Sequence, residues 1–128
     1  SGHFYFKDFW RADSGMLAAL HAIAAVMESG KSLSELLKTY NRYVLSGEIN
    51  TQVADQASAV ASIRSHFDNS GEDVEFDELD GLTVSASTWW FNVRSSNTEP
   101  LLRLNVEADN QALVEQIKSQ VLRLMKSQ

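Results

Sequence analysis

The sequence predicts an α+β fold in which helices cover one face of a mostly antiparallel sheet of four to five strands. Short runs such as "WWFNV" and "LLRLNVEA" alternate between apolar and polar residues, which is typical of strands with one buried face. Two longer segments carry apolar residues at helical spacing, one before and one after most of these runs. The pair Asp80-Gly81 is a strong hairpin signal. Residues 48–128 therefore have the predicted order β-α-β-β-β-β-α.

Residues 1–46 predict a strand followed by two helices. The strand-like segment "HFYFKDFW" is rich in aromatic side chains suited to burial. The first helix spans residues 14–29, where Ser14 or Asp13 caps the start and Gly30 the end. Its apolar face is predicted to hold Leu17, Leu20, Ala24 and Met27.

The second helix is predicted over residues 32–44, because Ser32 and Glu35 have capping-box spacing. Its apolar stripe consists of Leu33, Leu36, Leu37 and Tyr40. Gly47 ends this helical region, so we expect one domain over residues 1–46 and a second over residues 47–128.

The second domain is predicted to have helices near its start and at its end. Asp55 caps the first of them and Asp109 caps the last. The inward faces are predicted to hold Ala59, Ile63 and Phe67 in the first helix and Leu113, Ile117, Val121 and Leu124 in the last. Alternation along the strand "WWFNV" predicts that one ring of the pair Trp89-Trp90 is buried and the other exposed.

Composition excludes several classes of function. A net charge of −6 argues against a nucleic-acid partner, which requires a basic face. The chain contains no apolar run near the roughly 18 residues of a membrane span, so no membrane partner is expected. The absence of cysteine removes thiolate chemistry and fits a cytoplasmic protein, which is our expectation.

One loop stands out as a candidate site. The stretch "RSSNTEP", from Arg94 to Pro100, places a guanidinium, hydroxyls and an amide between two predicted strands. Such groups suit an oxyanion, since arginine binds phosphate through a planar fork. An ordinary hairpin loop also uses these residue types, so composition alone leaves both interpretations open. The three histidines lack the spacing of metal ligands, and we expect no metal site in this chain.

Three motifs, in order, make the chain resemble the α-D-phosphohexomutases. "DGLTV…WWFNVRSSNTEPLLRLNVEA" resembles the C-terminal, fourth domain of that family. "SGHFYFKDFWRADSGM" resembles the end of the third domain, and "SGEIN" resembles the junction in the bacterial phosphomannomutase branch. The resemblance implies a TATA-box-binding-protein-like fourth domain, preceded by the helical tail of a truncated α/β domain.

The resemblance implies a parent enzyme that interconverts mannose 6-phosphate and mannose 1-phosphate. Such enzymes use a phosphoserine, a Mg²⁺ ion and a hexose 1,6-bisphosphate intermediate. Arg94, Ser96, Asn97 and Thr98 match the residues that hold the nonreacting phosphate. Ser1 and His3 match sugar-facing positions, and His3 is a candidate to assist proton transfer.

The phosphoserine and metal loops have no counterpart here, so the resemblance implies a fragment that is inactive alone and does not bind Mg²⁺ itself. Its expected partners are a phosphosugar and the N-terminal domains of the same polypeptide. We expect the uncovered apolar surface of residues 1–46 to be hidden by self-association or to stay mobile. Two alternatives stay open, a noncatalytic phosphosugar-binding module and a structural interaction module.

Overall fold

The computed structural model describes residues 2–126. The chain forms two compact units, the first ending at Arg42 and the second beginning at Tyr43.

The first unit is built around helix α1, Gly15–Ser29. The hydroxyl of Ser14 accepts a hydrogen bond from the Leu17 N–H at 3.2 Å and caps the helix start. Gly30 ends the helix with a φ of 63°, a conformation that glycine adopts without steric cost. Both predicted ends of this helix are confirmed.

Helix α2, Leu33–Leu37, is shorter than predicted. Its start is confirmed, because Ser32 and Glu35 form the complete capping box. The prediction that it extends to residue 44 is wrong. Val44 and Leu45 instead form strand β1, which pairs with residues more than 60 positions further along the chain.

The expected N-terminal strand is absent among residues 2–12. This segment folds back on itself through turns, with a single isolated bridge between Tyr5 and Asp13. Trp10 and Arg11 have φ values of 50° and 55°, which interrupt an extended backbone. A strand requires a hydrogen-bonded neighbour, and the described part of this unit supplies no sheet for it.

The apolar residues of the first unit are largely exposed rather than buried, as expected for an uncovered surface. The most exposed aromatic side chain is that of Trp10, at 85%. An apolar cleft of about 180 Å³ lies between α1 and the start of α2. The exposed large apolar residues of this unit are Phe4, Tyr5, Phe9, Trp10, Met16, Leu20, Ile23, Met27, Leu33, Leu37 and Tyr40.

The second unit contains the sheet, and all of its described strand pairs are antiparallel. Besides β1 its strands are β2 Ile49–Gln52, β3 Glu75–Asp77, β4 Leu82–Ser85, β5 Trp89–Ser95 and β6 Leu101–Ala108. The strands β3, β4, β5 and β6 lie side by side, and both β1 and β2 pair along the remaining edge of β6. The sheet therefore has six strands in the described residues but is five positions wide, which agrees with the predicted upper number.

Helices α3, Gln56–Asp68, and α4, Gln111–Lys126, join one face of the sheet in a common apolar core. The predicted inward residues of α3 are all buried, and Asp55 caps it as expected. Of the two neighbouring tryptophans, Trp89 is 6% exposed and Trp90 37%, which confirms the predicted alternation.

Helix α4 differs from the prediction in two details. Its cap is Asn110, whose side chain accepts from the Leu113 N–H at 3.0 Å, and not Asp109. The backbone N–H of Asp109 instead donates to the Thr88 carbonyl, which holds that residue in the sheet connection. Ile117 and Val121 are buried as predicted, whereas Val114 and Met125 are the other buried residues and the predicted Leu113 and Leu124 are partly buried against the core.

Candidate phosphate-binding site

The candidate loop joins strands β5 and β6 at one end of the sheet. The strands pair up to Ser95 and Leu102, and Arg94 lies directly opposite Arg103. The Ser96 N–H then donates to the Leu101 carbonyl at 3.0 Å and closes the loop. The sequence-predicted residues are thereby held on the rigid end of a central hairpin.

Ser96 is the inward-facing residue of this loop, with only 9% of its surface exposed. Its hydroxyl accepts a hydrogen bond from the Thr98 N–H at 3.4 Å and lies 3.4 Å from the Thr98 hydroxyl. Asn97 and Thr98 are exposed. Ser96 therefore shapes the turn, while Asn97 and Thr98 present their side chains to solvent.

The exit from the loop is supported by helix α3. The side-chain amide of Gln56 donates to the carbonyl oxygens of Glu99 and Leu101, at 3.3 and 3.0 Å. Gln56 is the first residue of α3, so the helix start and the loop are joined across more than 40 residues of sequence. A loop with its two ends fixed loses less entropy when it binds a ligand.

Arg94 supplies the positive charge of the site. Its Nη2 lies 3.3 Å from a carboxylate oxygen of Glu48, and its Nη1 lies 3.6 Å from a carboxylate oxygen of Asp80. The side chain of Arg94 is 39% exposed, so its guanidinium is accessible to a ligand. Sequence reasoning missed both carboxylates, because neither is near Arg94 in the chain.

The turn that carries Asp80 packs directly on the Arg94 backbone. Gly81 has a φ of 75°, and a Cβ atom there would lie 2.4 Å from the Val93 carbonyl oxygen and 2.9 Å from the Arg94 Cα. The side-chain amide of Asn92 donates to the Asp80 carbonyl at 2.8 Å. Only glycine fits this approach, so the predicted Asp80-Gly81 hairpin also determines where Asp80 lies relative to Arg94.

Arg103 is a second cationic residue beside the site. It faces Arg94 across the β5–β6 pair, at a position that sequence reasoning did not select. Its Nε is buried and has no hydrogen-bond partner among the described residues. The hairpin register could have identified Arg103 from the sequence, since Arg94 and Arg103 are equally distant from the turn that joins the two strands.

His3 belongs to the first unit, where its Nδ1 lies 2.5 Å from a carboxylate oxygen of Asp13. The bond with His3, followed by that from the Phe4 N–H, holds the pKa of the Asp13 carboxyl below its ordinary value. The ring of His3 is thus oriented by a carboxylate, an arrangement that suits a group transferring protons. Ser1 lies outside the described residues.

The described residues bring together no group of three histidine, aspartate or glutamate side chains able to hold a metal ion. No helix among the described residues is long and apolar enough to cross a membrane.

The matches to known protein families divide the chain in the same order as its two units. A family model described as phosphoglucomutase/phosphomannomutase, C-terminal domain, matches residues 48–124. The chain belongs to this family. A second model, the alpha/beta/alpha domain III of the same family, matches residues 1–43.

Similar proteins carry consistent names. A phosphomannomutase of Methanocaldococcus jannaschii is 44% identical over 128 residues, covering 97% of this chain and 28% of that protein. A phosphomannomutase of Salmonella montevideo is 42% identical over 129 residues, covering 99% of this chain and 28% of that protein. The chain thus spans just over a quarter of the length of these relatives.

A solved structure shows the same arrangement of elements. A phosphoglucomutase/phosphomannomutase family protein from Burkholderia thailandensis matches with a TM-score of 0.69 and 26% identity. The match covers 98% of this chain and 26% of that chain. The predicted family and fold class are therefore confirmed.

Proposed function

We propose that this chain is the substrate-holding, C-terminal part of a phosphomannomutase, an isomerase that interconverts mannose 6-phosphate and mannose 1-phosphate. The names of the similar proteins support the enzyme class. The proposed reaction passes through a phosphoserine and a hexose 1,6-bisphosphate, with Mg²⁺ bound by the rest of the polypeptide. The chain alone is inactive, and the proposed location is the cytoplasm.

The proposed role of this chain is to hold the phosphate that does not react. Arg94 donates from its guanidinium, while Asn97, Thr98 and the loop N–H groups add neutral donors around the buried Ser96. The observation that carries the proposal is this accessible guanidinium beside a closed polar turn at the end of a hairpin. Phosphoryl transfer depends mainly on such positioning. Ser1 and His3 would contact the sugar, with His3 a candidate for proton transfer.

The first prediction concerns Arg94. We titrate the chain with inorganic phosphate and with mannose 1-phosphate and follow the backbone amides of residues 94–98 by NMR. Arg94→Ala should weaken binding by about 10-fold or more, because a charge-assisted hydrogen bond contributes about 1.5–3 kcal/mol. Arg123→Ala removes the same charge from an exposed position of α4 and should leave binding unchanged.

Two outcomes would count against the proposal. Absence of saturable shifts at residues 94–98 with millimolar ligand would mean that the loop is only a turn, as a structural interaction module requires. Equal affinities for the wild type and Arg94→Ala would place the anion elsewhere. A noncatalytic phosphosugar-binding module would give the same titration result. That alternative would be favoured only if the full gene encoded no phosphoserine loop and no metal loop before this chain.

A further inference from the structure

Two carboxylates form ion pairs with the Arg94 guanidinium, the group to which the phosphate is proposed to bind. Glu48 contacts the Nη2 of Arg94 at 3.3 Å, and Asp80 lies 3.6 Å from the Nη1. These are the two terminal nitrogens through which arginine forms a bidentate pair with an oxyanion. Each of these nitrogens carries two N–H groups, so a phosphate that pairs with both nitrogens competes with the two carboxylates for the same guanidinium.

The carboxylates are held close to the site whether or not Arg94 pairs with them. Glu48 immediately precedes strand β2, which is paired with β6 from Ile49 onward. Asp80 lies in the turn whose Gly81 packs against the Arg94 backbone. When a phosphate binds, both negative charges stay near it, because these backbone positions are fixed, and they repel it.

We propose that Glu48, and more weakly Asp80, are built-in competing anions that lower the affinity of the Arg94 site for phosphate. The inference rests on the proposed phosphate-holding function. The consequence is rapid exchange of bound and free phosphate, because an Arg94 site without the two carboxylates would release a dianion slowly. The two carboxylates thus adjust the affinity of the Arg94 site for phosphate.

The contact distances and the exposure of the two side chains predict which carboxylate has the larger effect on phosphate affinity. The side chain of Glu48 is 38% exposed and makes the shorter contact, whereas that of Asp80 is 79% exposed. Solvent screens the more exposed charge more strongly. Glu48 should consequently have the larger effect on ligand affinity.

A purely structural role predicts the opposite result. If Glu48 served mainly to orient the guanidinium for the ligand, its removal would leave Arg94 mobile and weaken phosphate binding. If it competes with the ligand, its removal strengthens binding. The sign of the change therefore separates the two roles.

The test measures the dissociation constant of inorganic phosphate for the whole chain by NMR titration of residues 94–98. Glu48→Gln keeps the shape of the side chain and removes its charge, and should bind phosphate about threefold more tightly, within the range of exposed ion pairs. Asp80→Asn should strengthen binding by less than about twofold. Glu48→Asp, which keeps the charge, should bind as the wild type does within about twofold.

The matched control is Glu75→Gln, which makes the same change of net charge on strand β3. Its affinity should equal that of the wild type, which excludes a general effect of net charge. An affinity of Glu48→Gln that is unchanged or weaker, or a gain that Glu75→Gln reproduces, overturns this inference and leaves the proposed function standing. If the wild type shows no saturable shift at residues 94–98, the proposed function fails and this inference fails with it.

Discussion

The two units of this chain bury their apolar residues to very different extents. In the second unit, residues from three of its strands and both of its helices form a core in which most side chains are no more than 1% exposed. In the first unit, helix α1 has no buried residue among those described. Side-chain caps begin helices in both units, at Ser14 and Ser32 in the first and at Asp55 in the second. Correct local signals are therefore enough to form a helix but not to bury it.

The matches to known proteins give this difference a physical reason. The second unit corresponds to the family's C-terminal domain over residues 48–124, and its sheet and helices pack together around one apolar core. The first unit matches an alpha/beta/alpha domain, an architecture in which helices pack on a sheet. None of the described residues of the first unit forms such a sheet, and helix α1 has no buried residue.

The largest predicted effect is a difference in stability between alanine variants of two phenylalanines, one in each unit. Phe91 is fully buried in the second unit, and Phe91→Ala should lower the free energy of unfolding by about 3–5 kcal/mol because it leaves a cavity. Phe4 is 52% exposed in the first unit, and Phe4→Ala should cost less than about 0.5 kcal/mol. Urea unfolding followed by circular dichroism measures both. Similar losses for the two variants would show that the first unit buries more than the structure indicates.

A smaller effect is expected on self-association. We expect the exposed apolar face of α1 to bring chains together, and Ile23→Glu should lower the associated fraction because a charge cannot be buried there unpaired. Leu79→Glu is the matched control, since Leu79 is 93% exposed in a turn of the second unit. Sedimentation velocity at several concentrations measures the change. A wild type that stays monomeric up to millimolar concentration would refute the expectation.

The smallest effect should appear in the pH dependence of the second unit. Asp55 accepts hydrogen bonds from the Ser58 N–H and then from the Ser58 hydroxyl, and these lower the pKa of its carboxyl from an ordinary value of 3.8. A lowered pKa in the folded state contributes stability that is complete above the unfolded-state pKa and is lost as the pH falls through the folded-state pKa. Asp55→Asn should therefore flatten the decline in stability below about pH 4.

The measurement is urea unfolding between about pH 2 and 6, with Asp73→Asn as the control, since that exposed aspartate caps no helix. If Asp55→Asn follows the pH profile of the wild type, the cap contributes no pH-dependent stability.

Most features that depend on residues within four positions of one another were predictable from the sequence, the cap of α4 being the exception. The caps at Ser14, Ser32 and Asp55 and the Asp80-Gly81 turn are of this kind. So is the buried face of α3, because helical spacing alone selects it. The candidate loop itself was also predictable, since its polar residues are contiguous and the flanking motifs carry the family resemblance.

Other features were decided only by tertiary structure. The chain after α2 became strand β1 because an edge of β6 was available for pairing, and no local signal predicts that partner. Which residues of α4 are fully buried follows from its packing against α3 and the sheet, where Val114 and Met125 join the predicted Ile117 and Val121. The surroundings of Arg94 are likewise nonlocal, because the sheet register and the close approach of Gly81 bring Glu48, Asp80 and Arg103 to it from distant positions. The sequence by itself determined the family, most of the elements and the position of the candidate loop. The charged residues around Arg94 were decided by strand pairing and by the approach of Gly81, since tertiary structure joins residues that the chain keeps apart.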